Sequence, residues 1–134
     1  MISDLAYAVA SELLDQEPMY YTDYLATPQG KLPKQDSMLR TLCYNSYVIT
    51  RNVANGHLVD LLPPYDTSIP MLVALLRCIE PLQITHKAPL WLASHNRYRA
   101  IGRTINETML RLALLLQRQG ALSAEALLTI RELT

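Results

Sequence analysis

The sequence predicts an all-α fold, a compact bundle of four to five helices forming one domain over residues 1–134. Three observations predict it. Apolar residues recur at spacings of three and four in several stretches, the period of one helix face. Proline, glycine and Asn-Gly steps fall between those stretches, where helices end. No set of segments alternates apolar and polar residues with the period of two that half-buried strands show. Helix packed on helix is then the favoured arrangement.

The elements follow in order. Residues 2–16 carry Ile2, Leu5, Ala6, Val9, Ala10, Leu13 and Leu14, a single apolar stripe that Pro18 terminates. Residues 17–35 read as irregular, because Pro18, Pro28, Gly30 and Pro33 interrupt them, with a short helix around Tyr20–Ala26 as an alternative. Met19, Tyr20, Tyr21, Tyr24 and Leu25 form an aromatic patch there, and an irregular segment of this length packs on its own side chains or carries function.

A second helix is expected from Asp36 or Ser37 to Ala54, capped by Asp36 and closed by Asn55-Gly56, with Met38, Leu39, Leu42, Cys43, Ile49 and Val53 on its apolar face. Residues 57–66 then form a buried connector. Thr67 or Ser68 starts a third helix that tolerates Pro70 in its first turn. Its run Met71–Ile79 is apolar nearly all round, which places it in the centre of the fold or under a partner. Residues 82–96 are expected to be a connector with a helical turn. The fourth helix, Asn96 to Gln119, carries Ile101, Ile105, Thr108, Met109, Leu112 and Leu116 on one side and ends at Gly120. Ser123 caps a short last helix with Leu127, Leu128 and Ile130 turned inward.

Composition narrows the function classes. Half of the 134 residues are hydrophobic and 18% are charged, which excludes intrinsic disorder. The formal net charge is zero, so no global field draws the chain to nucleic acid or to an anionic membrane. No apolar run approaches the ~18 residues of a membrane span. Asp4 and Glu12 break up the first segment and no basic residue precedes it, so no export leader is expected and a cytoplasmic location follows. Cys43 and Cys78 read as small core residues rather than a disulfide. Phe is absent while Tyr occurs eight times, so aromatic area comes from rings that suit half-buried and interface positions.

Few residues carry a chemical signature. P-loop, GxSxG, HExxH and GxGxxG motifs are missing, and His57, His86 and His95 have no zinc-like spacing, so neither metal nor cofactor is expected. Charge is nonetheless segregated. Residues 1–30 hold Asp4, Glu12, Asp15, Glu17 and Asp23 without a Lys or Arg, whereas residues 87–118 hold Lys87, Arg97, Arg99, Arg103, Arg111 and Arg118 against Glu107 alone. On a continuous helix the arginines span an arc of roughly 160°. His95, Asn96, Arg97, Arg99, Arg103 and Arg111 are therefore the candidates for an anion or nucleic acid, with His95-Asn96-Arg97 at the expected helix start, where backbone N–H groups favour anions. A solvated face paired with the acidic first segment is the plainer alternative.

Leu110 and Leu114 fall on the polar side of the same helix, which calls for a covering helix or a second subunit. Residues 115–128 (helix, glycine turn, capped helix) resemble the opening of a winged-helix reader, but the resemblance covers only that hairpin and includes no recognition helix. The expected function is accordingly a non-enzymatic protein-interaction module, such as a small adaptor, assembly factor, chaperone or inhibitor. Its expected contacts are Tyr20, Tyr21, Tyr24, Arg99, Arg103, Leu110 and Leu114. The alternative is a nucleic-acid-binding regulator using the basic face of residues 97–118; an enzyme acting on a small anion near His95 is a third.

Overall fold

A computed structural model describes residues 4–27, 46–53 and 56–134, with only the backbone course for 50–53 and 56–59. The fold is mixed α/β: two three-stranded antiparallel sheets and five helices. The all-α expectation is thereby corrected. Helix α1 (Asp4–Ala8) runs on as a π-helical segment, Val9–Leu13. Strand β1 (Met19–Tyr20) leads straight into α2 (Tyr21–Leu25). Strands β2 (Tyr47–Val53) and β3 (Gly56–Leu61) complete the first sheet, in the order β1-β2-β3. A 3-10 turn, Tyr65–Thr67, precedes α3 (Ile69–Cys78). Strands β4 (Gln83–Lys87), β5 (Leu90–His95) and β6 (Tyr98–Gly102) form a meander, followed by α4 (Ile105–Arg118) and α5 (Ala124–Leu133).

Four expected elements changed type in whole or in part. The second helix would have reached Ala54, but Tyr47–Val53 is a strand paired along its length with Gly56–Leu61. Tyr, Val, Ile and Thr in succession are residues whose side chains fit a pleated surface better than a helix. Asn55-Gly56, taken as a helix stop, is equally a hairpin signal, and Val53 pairs with Gly56. Residues 36–45, including Met38, Leu39, Leu42 and Cys43, lie outside the described residues. The expected connector at 57–66 is largely β3. Residues 82–96 and the first part of the expected fourth helix are the β4–β6 meander, so that helix starts at Ile105 rather than Asn96. Thr104 stops any earlier start: its backbone is extended and its side chain caps the helix by accepting from Glu107 N.

The local capping signals did form. Ser68 accepts from Met71 N at 3.2 Å to open α3, and Ser123 accepts from Ala126 N to open α5. Gly120, with φ +66°, follows α4. On α3, however, Ile69, Val73 and Leu76 are exposed while Met71, Ala74 and Leu75 are buried, so one side of this helix is uncovered among the described residues.

Helix α4 is the centre of the core. Thr108, Met109, Leu110, Leu112, Ala113, Leu114 and Leu116 are all buried. The second sheet, α3, the α1–π segment and the 3-10 turn each pack on it. Burying each of its large side chains contributes roughly 1.5–3 kcal/mol. A smaller cluster of Tyr21, Tyr24 and Val48 holds α2 on the first sheet.

The second sheet approaches α4 closely at Gly102. A Cβ there would lie 2.6 Å from Thr108 Oγ1 and 2.9 Å from Thr108 N. Thr108 has no room to yield, because it is buried and its hydroxyl donates to Thr104 O at 2.7 Å. Gly102→Ala should therefore destabilise the fold by about 1–3 kcal/mol, read as a lower denaturant midpoint in a urea titration followed by circular dichroism.

Candidate functional site

The second sheet packs one face of β5 and β6 on α4, while β4 is exposed along its length and the other face is uncovered among the described residues. Ile84, Ala93 and Ala100 stand opposite one another, as do His86, Trp91 and Gly102. Ala93 is buried, Ala100 and Tyr98 pack on the core, and Gly102 meets Thr108, so these rows face α4. Side chains alternate along a strand, which turns Gln83, Thr85, Lys87, Leu90, Leu92, Ser94, Arg99 and Ile101 to the other side. Two tight turns fix the register: Ala88-Pro89 joins β4 to β5, and Asn96-Arg97 joins β5 to β6. Asn96 has φ +54°, a left-handed conformation that asparagine tolerates better than most side chains.

This outer face has an aliphatic centre with a basic margin. Leu92 pairs directly with Ile101, and Ile101 and Leu90 are 52% and 42% exposed, far more than a core residue of either type. Lys87 and Arg99 project from the same face, and Arg103 follows β6. Among the described residues none of these three cations has a carboxylate partner within 4.0 Å, whereas Arg111 pairs with Glu107 and Arg118 with Glu12, each at 2.7 Å. The Arg118 fork is bidentate on Glu12 and lowers that carboxyl's pKa, partly offset by burial.

The residues expected to bind partners are dispersed. Leu110 and Leu114 are 1% and 3% exposed, inside the chain's own core. Tyr21 and Tyr24 are buried with Val48, and burial raises the Tyr24 pKa. Tyr20 is exposed, and its ring stacks on Tyr47, its cross-strand partner, at 4.2 Å. Tyr7 meets the same Tyr47 edge-on at 5.0 Å. This three-ring surface cluster escaped the sequence because Tyr47 was assigned to a helix; only the β1–β2 register brings it beside Tyr20. Tyr47 holds its proton to about 12, first through its hydrogen bond with Tyr20, then through burial and the nearby charges of Tyr20, Tyr7 and Asp4.

The anion candidates do not meet at a helix start. His95 and Asn96 lie at the β5–β6 turn, where His95 Nδ1 is 2.8 Å from Pro81 O and the Asn96 amide is 3.3 Å from His95 Nε2. Arg97 reaches Tyr98 OH at 3.1 Å and lies 5.2 Å from the centre of its ring. Arg103 N donates to Glu107 Oε2, so a carboxylate of the chain already occupies the entrance of α4. Arg111 donates to Ile101 O besides pairing with Glu107.

A half-open cavity of about 460 Å³ lies between Leu14, Pro64, Pro70 and Arg131. Tyr65 OH donates to Gln16 Oε1 at its wall, and Arg131 Nε donates to Leu13 O. Its one charged lining side chain is Arg131; no His, Cys or carboxylate side chain lines it. Cys78 is a free, half-buried thiol whose pKa burial pushes up, against the opposing charge of Arg77, which suits packing better than nucleophilic attack. His86 stacks on Trp91 with centroids 4.1 Å apart. Among the described residues no group of three or more His, Cys, Asp or Glu could hold a metal ion, and no helix is long and apolar enough to cross a membrane. No protein-family model matches the chain, and no curated protein or solved structure is significantly similar to it.

Two outcomes follow. Leu110→Ser or Leu114→Ser should lower stability by about 2–5 kcal/mol, the usual cost of emptying a buried leucine site, without changing the mass read by light scattering. Tyr47 should appear as a late phase near pH 12 in absorbance at 295 nm, and Tyr20→Phe should move it toward the ordinary value. Because the folded pKa is raised, the stability it contributes is complete below about pH 10 and lost as pH rises through 12.

Proposed function

We propose that the chain is a non-enzymatic protein-interaction module, with the outer face of its second sheet as the docking surface. The observation that supports this reading most is that aliphatic Leu90, Leu92 and Ile101 share a face, uncovered among the described residues, with Lys87 and Arg99, with Arg103 beside it. An apolar centre with a charged margin is the pattern of a protein-binding surface, and cations without partners favour an acidic, amphipathic segment on the other side. The exposed Ile69, Val73 and Leu76 side of α3 adds apolar area to the same reading. A cytoplasmic setting accompanies it, since the free Cys78 thiol suits a reducing compartment.

A nucleic-acid reading is the second, favoured by the same three cations. It is the weaker because single-stranded nucleic acid is usually held by stacking on exposed aromatic rings, and here Trp91 and Tyr98 belong to the rows facing α4. Duplex binding would rest on phosphate contacts alone.

Affinity capture of the tagged full-length protein from its native cells, with and without nuclease, distinguishes the two. Wild type should retain a stoichiometric protein through nuclease treatment, and Ile101→Glu should lose it while unfolding at an unchanged temperature. Equal capture by wild type and Ile101→Glu would move the docking surface elsewhere. Nuclease-sensitive binding with a log–log salt slope of roughly −2, as expected for three phosphates on a single strand, would establish the second reading instead.

A further inference from the structure

The two exposed surfaces described above are chemically complementary, and both belong to one chain. The first is the cluster of Tyr7, Tyr20 and Tyr47 rings, with the Asp4 carboxylate near enough to oppose ionisation of Tyr47. The second is the aliphatic outer face of β4–β6 with Arg99 and Arg103. Guanidinium groups prefer tyrosine faces and carboxylates as partners, and Ile101 offers the rings an apolar surface.

The two patches do not meet within one molecule. The α1–π segment and the second sheet each pack on α4, and neither packs appreciably on the other. The outer face of the sheet points away from that shared helix. Beside the tyrosines Asp4 is exposed and, among the described residues, has no basic partner within 4.0 Å, as is true of the exposed Asp15, Glu17 and Asp23 of the same N-terminal stretch. Zero formal net charge means that no long-range repulsion keeps copies apart.

We infer that the chain assembles head to tail, the Tyr7–Tyr20–Tyr47 and Asp4 surface of one copy receiving the Arg99, Arg103 and Ile101 surface of the next. This rests on the docking role assigned to the second sheet and names the occupant as a second copy. Such a contact joins two different patches, so it continues into rings or filaments rather than stopping at a two-fold dimer.

Sedimentation velocity on the full chain tests it. In about 0.01 M salt, where charges act over ~30 Å, wild type should form concentration-dependent oligomers, and these should dissociate in about 1 M salt, where the range falls to ~3 Å. Arg99→Glu and Asp4→Arg each reverse a charge on an exposed side chain, so both should keep the wild-type melting temperature. Each alone should be monomeric, with association weakened about tenfold or more. An equimolar mixture should associate again, because one variant keeps its acidic tyrosine patch and the other its basic patch, and the two reversed charges are complementary as well. A wild type that stays monomeric in low salt, oligomers indifferent to salt, or a mixture that fails to associate would each overturn head-to-tail assembly. Loss of capture by Ile101→Glu from cells alongside a monomeric wild type would show that the docking surface stands and that its occupant is another protein.

Discussion

Everything in this fold depends on surrounding one helix. Helix α4 carries buried side chains on nearly every side, from Thr108 to Leu116, and so needs neighbours in several directions. The second sheet, α3, the α1–π segment and the 3-10 turn supply them. The sheet comes close at the contact of Gly102 with Thr108, where its backbone sits too near the helix for a methyl group. A bidentate pair between Arg118 and Glu12 tethers the far end of α4 to the π segment.

That arrangement also sets what stays exposed. A meander whose inner rows are spent on α4 must show its other rows to solvent, and here those rows hold Leu90, Leu92 and Ile101 beside Lys87 and Arg99. Solvation alone would favour polar residues at such positions. The first sheet meets a different constraint. Its small cluster buries Tyr21 and Tyr24 and leaves Tyr20 stacked outside on Tyr47. The acidic segment and the basic meander of a chain with zero formal net charge thus become separate surfaces that each pack on one core helix.

Several features were legible without coordinates because their causes are local. Ser68 and Ser123 cap helices through their own hydroxyls, and Gly120 adopts a left-handed conformation at the end of α4. Tyr20, Arg99 and Arg103, expected from residue type to be contacts, are exposed. What failed was the distinction between period two and period 3.6 over short spans. Ile101, Ile105 and Thr108 have helical spacing, yet Ile101 belongs to β6 and points away from the core. Leu110 and Leu114 were expected to need a covering helix or a second subunit, and the chain's own core buries both.

Residue chemistry alone placed the caps at Ser68 and Ser123 and the break at Gly120, and showed that no familiar catalytic or metal motif is present and that acidic and basic residues are segregated along the chain. Each depends on neighbours within a few positions, or on composition. Tertiary structure decided that Tyr47–Val53 and residues 83–102 are strands, which leucines are core, and which rings and cations share a surface. Strand pairing joins residues far apart in sequence, as Tyr20 and Tyr47 show. Its free energy comes from partners and burial that no local window contains.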